Sequence, residues 1–207
     1  MAPNAIHVIE YLNFGAMISC LALFAAFYTM SLTPVKRSAK RGERAWSDCV
    51  KFRLVATIFE TLTVVTLIVW AIHPIPALDF KIFPEWWHAF LLGLVLLPPF
   101  LALAYVGMRD AGTESIRPSA ETKLYGGIYE HVRHPQTLGE FPTWAIFGLM
   151  TNSWTALVVG SAFVVAYTPI MIKVEEADLV RRFGEEYEEY RRRVGCLFPR
   201  LRSMGKS

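Results

Sequence analysis

Three stretches of this chain are apolar enough to limit what it can fold into. Residues 11–32 (YLNFGAMISCLALFAAFYTMSL), 54–72 (LVATIFETLTVVTLIVWAI) and 89–107 (AFLLGLVLLPPFLALAYVG) together contain one acid, Glu60, and no base. A bilayer core of roughly 30 Å is crossed by about 20 apolar residues in a helix, so each run has the length of a transmembrane span. The rest of the composition agrees: 54% of the 207 residues are hydrophobic and only 19% are charged. The charges sit in blocks between the apolar runs, a pattern that excludes an ordinary water-soluble globule.

Two further apolar segments, 138–151 and 154–172, follow a polar stretch and are separated by Thr151-Asn152-Ser153-Trp154. Asn152 reads as a helix stop, Ser153 as a helix start, and Trp154 as a residue of the water–lipid boundary. The two segments therefore form a helical hairpin. Its first arm approaches bilayer length only if it begins at Pro135, a residue suited to the first helical turn. The expectation is an all-α polytopic membrane bundle of about five transmembrane helices. With five spans, 20 of the 21 Lys and Arg residues fall on one side, and Lys81 alone is opposite. The positive-inside tendency then places the N-terminus outside and the C-terminus in the cytoplasm. No cleavable leader is expected, because the first apolar run is long and no base precedes it. Residues 1–108 supply three transmembrane helices with a basic loop, Lys36 to Arg44, that fits topology and lipid headgroups better than nucleic acid. Residues 109–207 supply a cytoplasmic cap at 109–134, the hairpin and a C-terminal amphipathic helix, all within one integrated membrane domain.

Most familiar chemistries lack their residues. Cys20, Cys49 and Cys196 are isolated, with no CxxC spacing. His131 and His134 could share a helical face, but the five histidines, His7 and His88 among them, are too few for a membrane di-iron centre, and no metal is expected. No G-x-S-x-G elbow frames a serine, and Gly126-Gly127 lacks the further glycines or lysine of a phosphate loop.

Two polar clusters remain. GGIYEHVRHPQTLGEFP, residues 126–142, leads into the hairpin, and KVEEADLVRRFGEEYEEYRRRVGCLFPR, residues 173–200, leaves it. Most of the second cluster reads as a solvated helix supported by pairs such as Glu188 with Arg192. Glu175 and Glu176 differ, because they stand at the edge of an apolar run, where a charge is costly unless it lines a wet or ligand-filled cavity. The antiparallel hairpin brings His134-Pro135 and Glu175 to the same end. There Arg133 and the histidines offer donors for a carboxylate, a glutamate faces a cation, and Tyr125 and Tyr129 offer flat surfaces for a ring.

The pattern G-x-Y-x-x-x-R-H-P (Gly127, Tyr129, Arg133, His134, Pro135) precedes the hairpin. E-E-x-x-L-x-x-x-F-G-x-x-Y-x-x-Y and L-F-P (Glu175, Glu176, Leu179, Phe183, Gly184, Tyr187, Tyr190, Leu197 to Pro199) follow it. Over about residues 124–199 the chain thus resembles the isoprenylcysteine carboxyl methyltransferases and their prokaryotic integral-membrane relatives. The resemblance implies an S-adenosylmethionine cofactor on the cytoplasmic side. Tyr129, Arg133, His134, Pro135, Glu175 and Glu176 would line its pocket, and Arg133 and Glu176 would hold the catalytic roles. Arg133 would pair with the methionyl carboxylate, while Glu175 or Glu176 would face the α-ammonium or ribose. An activated sulfonium methyl mainly requires an acceptor held in line with water excluded. The sequence departs from the family pattern at Thr137, where many members carry tyrosine, and at Ala177, where a third acid often follows the glutamate pair.

The acceptor is expected to be a lipophilic or lipidated molecule arriving through membrane lipid. A prenylcysteine carboxylate is the family's best-known acceptor, and a phospholipid amine or small thiol is the alternative. A sterol-reductase-like protein using NADPH, a non-enzymatic membrane protein and a transporter are the other classes open to such a chain. Glu60 has two readings, a contact to a substrate head or a bond to a neighbouring helix.

Overall fold

The computed structural model describes residues 3–120 and 126–200, with side chains from residue 8 onward. Tyr125, one of the two expected ring surfaces, and the side chain of His7 lie outside the described residues. The chain is helical: α1 (Pro3–Ser31), α2 (Pro34–Arg41), α3 (Arg44–Ile72), α4 (Trp86–Ala111), α5 (Pro135–Glu140), α6 (Pro142–Met150), α7 (Trp154–Phe183) and α8 (Glu185–Arg193). Short 3-10 turns occupy Pro76–Leu78, Gly112–Ser115 and Gly127–Glu130. Among the described residues the only β-pairs are two isolated bridges.

Four helices are long and apolar enough to cross a membrane: Val8–Ser31, Arg44–Ile72, Trp86–Ser115 and Trp154–Phe183. Their outward faces carry large apolar side chains, among them Leu54, Ile58, Val65, Leu91, Val95, Val158 and Val165. Exposed apolar surface on this scale matches lipid and not water.

The first arm of the hairpin differs from expectation. It is present as two pieces, α5 and α6, that meet at Phe141, and neither piece alone is long enough to span. The cause is Pro142, which has no N–H to donate and whose ring crowds the carbonyl one turn earlier. The arm stays in the bundle because its small residues allow close approach. A Cβ on Gly139 would lie 2.7 Å from the Phe100 carbonyl of α4, and one on Gly148 2.5 Å from the Ala156 carbonyl of α7. Such small-residue crossings are how helices associate where no hydrophobic effect separates them from solvent. Inside the bundle, Phe24, Phe141, Trp144, Phe163 and Tyr167 form one aromatic cluster joining α1, α6 and α7.

The hairpin turn follows its sequence signals. Asn152 adopts φ 55°, and its side chain accepts from Phe83 N at 2.9 Å and donates to Phe83 O at 3.0 Å. Ser153 Oγ caps α7 by accepting from Ala156 N at 3.3 Å, and it also accepts from Trp70 Nε1 at 3.0 Å.

At the opposite end, α7 does not stop at the apolar edge. It runs for 30 residues, about 45 Å, before Gly184, with φ 59°, ends it. Glu175 and Glu176 are therefore interior residues of a helix that continues past the apolar segment ending at residue 172. One turn further, Asp178 accepts from Val35 N at 3.0 Å and Lys36 N at 2.9 Å. It thereby satisfies the first amides of α2 and pins the corner between α1 and α3 to α7. α8 buries Tyr187 and Tyr190 against Leu179, Val180, Phe183 and Val194, so only its other face is solvated. The ion pairs on that face are Arg191 with Glu188 and Arg192 with Glu185, in place of the expected Glu188 with Arg192.

Candidate active site

The R-H-P segment is held by the chain that follows α8. Arg133 N donates to Gly195 O at 2.9 Å and His134 N to Cys196 O at 3.1 Å, beside a parallel bridge between Val132 and Gly195. Tyr190 Oη donates to Tyr129 O at 2.6 Å. Pro135 is fully buried at the first position of α5, so it sets the chain direction and does not face the cleft.

Arg133 and His134 then meet the glutamate pair of α7. Glu176 Oε1 accepts from Arg133 Nε at 2.8 Å and from His134 Nε2 at 3.1 Å. His134 Nδ1 lies 3.1 Å from Glu175 Oε2. Both imidazole nitrogens thus face carboxylates, an arrangement that favours the doubly protonated ring. Burial alone would push the His134 pKa down, but the bonds to Glu175 and Glu176 outweigh it and carry the ring up to about 9. The quartet Arg133, His134, Glu175 and Glu176 is charge-balanced, with two cations facing two anions. Charges this buried are tolerated only with such pairing. Arg133 Nη1 also donates to the carbonyls of Arg191 and Val194, tying the end of α8 into the same knot.

One side of this knot opens into a polar cleft enclosing about 850 Å³ with its mouth included. The enclosed part of that space is about 80 Å³, smaller than the roughly 300–1,000 Å³ usual for small-molecule sites. Tyr129, Arg133, His134 and Glu175 line it, with Tyr187 and Tyr190 supplying further aromatic surface. Glu176 stands on the far side, where it lines a separate and more apolar groove with Thr168, Pro169, Ile172 and Leu197. The two glutamates expected to act together are therefore divided between two surfaces. Successive residues of a helix point about 100° apart, which divides them.

The cleft also contains residues that sequence reasoning left without a role. Glu114, in the cap, receives Arg182 Nη1 at 2.5 Å, and Arg53 of α3 donates through Nη1 to the carbonyls of Glu114 and Ser115. Tyr28, Arg53, Glu114, Gln136, Asp178 and Arg182 all face the same space. Thr137, the point of departure from the family pattern, is buried in its wall. In the sequence Arg53 is one base immediately before the apolar run at 54–72; the fold places it nine residues inside α3. Beneath the cleft, Glu140 is within electrostatic reach of Glu60, Arg53 and Glu175, so Glu60 belongs to an internal polar cluster. His131 and Glu130 are exposed and away from it.

His134, Glu176 and Cys196 could each offer a ligand atom within 4.8 Å of the others. The donor chemistry disfavours a metal ion there. The Glu176 oxygen is already bonded to the Arg133 guanidinium, a fixed cation that would repel a metal ion, and to the His134 ring.

A model of the phospholipid methyltransferase family matches residues 88–186. Methanethiol S-methyltransferase 2 of Bradyrhizobium diazoefficiens is 27% identical over 97% of this chain and 80% of its own length. Methanethiol S-methyltransferase of Crocosphaera subtropica is 39% identical over 35% of this chain and 27% of its own. Protein-S-isoprenylcysteine O-methyltransferase of Schizosaccharomyces pombe is 36% identical over 35% of this chain and 31% of its own. The chain thus spans most of the first relative but under a third of the other two.

Proposed function

We propose, from the similarity of residues 88–186 to the phospholipid methyltransferase family and of the chain to membrane methyltransferases that act on methanethiol and isoprenylcysteine, that this protein is an integral-membrane methyltransferase. It transfers the methyl group of S-adenosylmethionine to a lipophilic acceptor, and the acceptor we favour is a thiol. One observation carries this reading. The R-H-P segment and the glutamate pair of α7 join, across the hairpin, in a charge-balanced wall of a polar cleft at the end of apolar helices.

The residues fit the cofactor. Glu175, whose side chain is 32% exposed, offers a carboxylate to an ammonium, and the buried Tyr129, Tyr187 and Tyr190 back the cleft wall. When bound, the cofactor supplies an electrophilic methyl group on a sulfonium sulfur. The protein's part is positional. Arg133 and His134 hold the cleft wall in register with α7, and the aromatic faces exclude water from the reacting centre. A thiol acceptor held in line by these residues would take the methyl group from the cofactor, whose sulfur would leave as a neutral thioether while the thiol proton passed to solvent. In this arrangement Arg133 and Glu176, the pair expected to be catalytic, act by positioning, while Glu175 touches the ligand. The bias of 20 basic residues to one side supports a cleft that faces the cytoplasm.

The thiol is favoured over a prenylcysteine carboxylate because a relative aligned over 97% of this chain is a methanethiol S-methyltransferase. Calorimetry on purified protein tests the cofactor: S-adenosylhomocysteine should bind and NADPH should not. Binding of NADPH alone would replace this reading with a reductase. Methyl transfer assayed in parallel to an alkanethiol, a prenylcysteine and phosphatidylethanolamine identifies the acceptor, and turnover confined to either of the last two refutes the thiol.

A further inference from the structure

The cations that line the cleft are unequally occupied by the protein. Arg133 is paired with Glu176, Arg182 with Glu114, and His134 with both Glu175 and Glu176. Arg53 takes part in none of these pairs. Its Nη1 is spent on the carbonyls of Glu114 and Ser115, which fixes the guanidinium against the cap. Its Nε is buried and has no hydrogen-bond partner among the described residues. A buried donor left unbonded is costly, and Arg53 is one of the residues lining the cleft. With Nη1 occupied, the remaining edge of the guanidinium is the one running from Nε to Nη2. That planar edge matches the two oxygens of a carboxylate. The titratable groups around Arg53 include Glu140, Tyr28 and Cys49, which it reaches electrostatically, with Glu114 and Glu175 also in the cleft lining.

We propose that Arg53 is the carboxylate-recognition residue of the cleft, binding the carboxylate of the amino-acid portion of the cofactor while Glu175 receives its ammonium. This inference rests on the methyltransferase reading above, and it gives Arg53 the task that the sequence pattern suggests for Arg133. Arg133 is unsuited to that task because its Nε and Nη1 are already bound to Glu176 and to two carbonyls.

The test uses the full chain in lipid nanodiscs, titrated with S-adenosylhomocysteine and with its decarboxylated analogue. The wild type should prefer the carboxylate-bearing ligand. Arg53→Gln should lower affinity for S-adenosylhomocysteine by about 10- to 100-fold, the loss of one charge-assisted pair, and leave the decarboxylated analogue unaffected. Equal loss for both ligands would mean that Arg53 only supports the cap, and no loss for either would mean that it does not touch the ligand. Both results overturn the proposal. If Arg53→Gln does not fold, Arg53→Lys keeps the charge and donors for the cap, and an unchanged preference between the two ligands in that variant overturns it equally. Should the preference survive while the KM of a carboxylate-bearing acceptor alone rises, the carboxylate belongs to the acceptor and the assignment to the cofactor fails. A wild type that binds neither ligand refutes the methyltransferase reading itself, and with it this inference.

Discussion

Glu176→Gln isolates the charge of Glu176 from its shape. In the native protein Oε1 accepts from Arg133 Nε at 2.8 Å and from His134 Nε2 at 3.1 Å, and Oε2 lies 3.8 Å from Arg191 Nη1. Glutamine keeps one acceptor oxygen but leaves two buried cations, whose side chains are 8% and 4% exposed, facing Glu175 alone. Removing one partner of a buried ion pair costs about 3–5 kcal/mol. His134 relieves part of that by releasing its proton, so the expected loss is about 3 kcal/mol. For a chain of this size, the melting temperature should fall by roughly 6–12 °C, read by tryptophan fluorescence of the purified protein.

The pH dependence gives a second, sharper reading. The folded-state pKa of His134, about 9, lies above its ordinary value of 6.5. Its stabilising contribution is therefore complete below about pH 6.5 and is lost as pH rises through about 9. In Glu176→Gln that loss should move to lower pH, toward the ordinary value. A melting temperature within about 2 °C of wild type, or an unshifted pH profile, refutes the claim that this carboxylate holds the site together.

Two further outcomes follow from packing and capping. Gly139→Leu drives a side chain into the α4 backbone near Phe100 and Ala104; it should cost about 3 kcal/mol, and size-exclusion chromatography should show loss of monodisperse protein, whereas Gly15→Leu, which meets nothing within 4 Å, should behave as wild type. Asp178→Ala removes both acceptors for the first amides of α2 and should lower stability by about 1–2 kcal/mol; hydrogen exchange should rise first at Val35 and Lys36, and uniform exchange across the protein would refute the local cap.

The legible parts of this protein are those governed by neighbours in sequence. Apolar runs of bilayer length announce the long helices because hydrocarbon thickness sets their length whatever they pack against. Asn152 and Ser153 mark the hairpin turn because a positive φ and an N-cap are local demands that few residues meet. The R-H-P and Glu-Glu motifs could be placed at one end of the hairpin by topology alone. Pro142 could also have been read, since its effect on the helix is local, and treating residues 135–151 as one arm passed over it.

What sequence could not determine is where side chains from distant segments end up. Glu175 and Glu176 are adjacent in the chain, yet helix rotation gives one to the cleft and the other to the groove behind it. Arg53 and Arg133 are both bases beside apolar segments. Only the fold gives Arg133 a glutamate and two carbonyls as partners while leaving Arg53 with a buried donor unbonded. The apolar pattern by itself determined a helical membrane protein, because burial in lipid depends on composition and length. The tertiary structure alone decided which charges are spent on the protein and which remain for a ligand, because pairing depends on distances between residues that lie far apart in the chain.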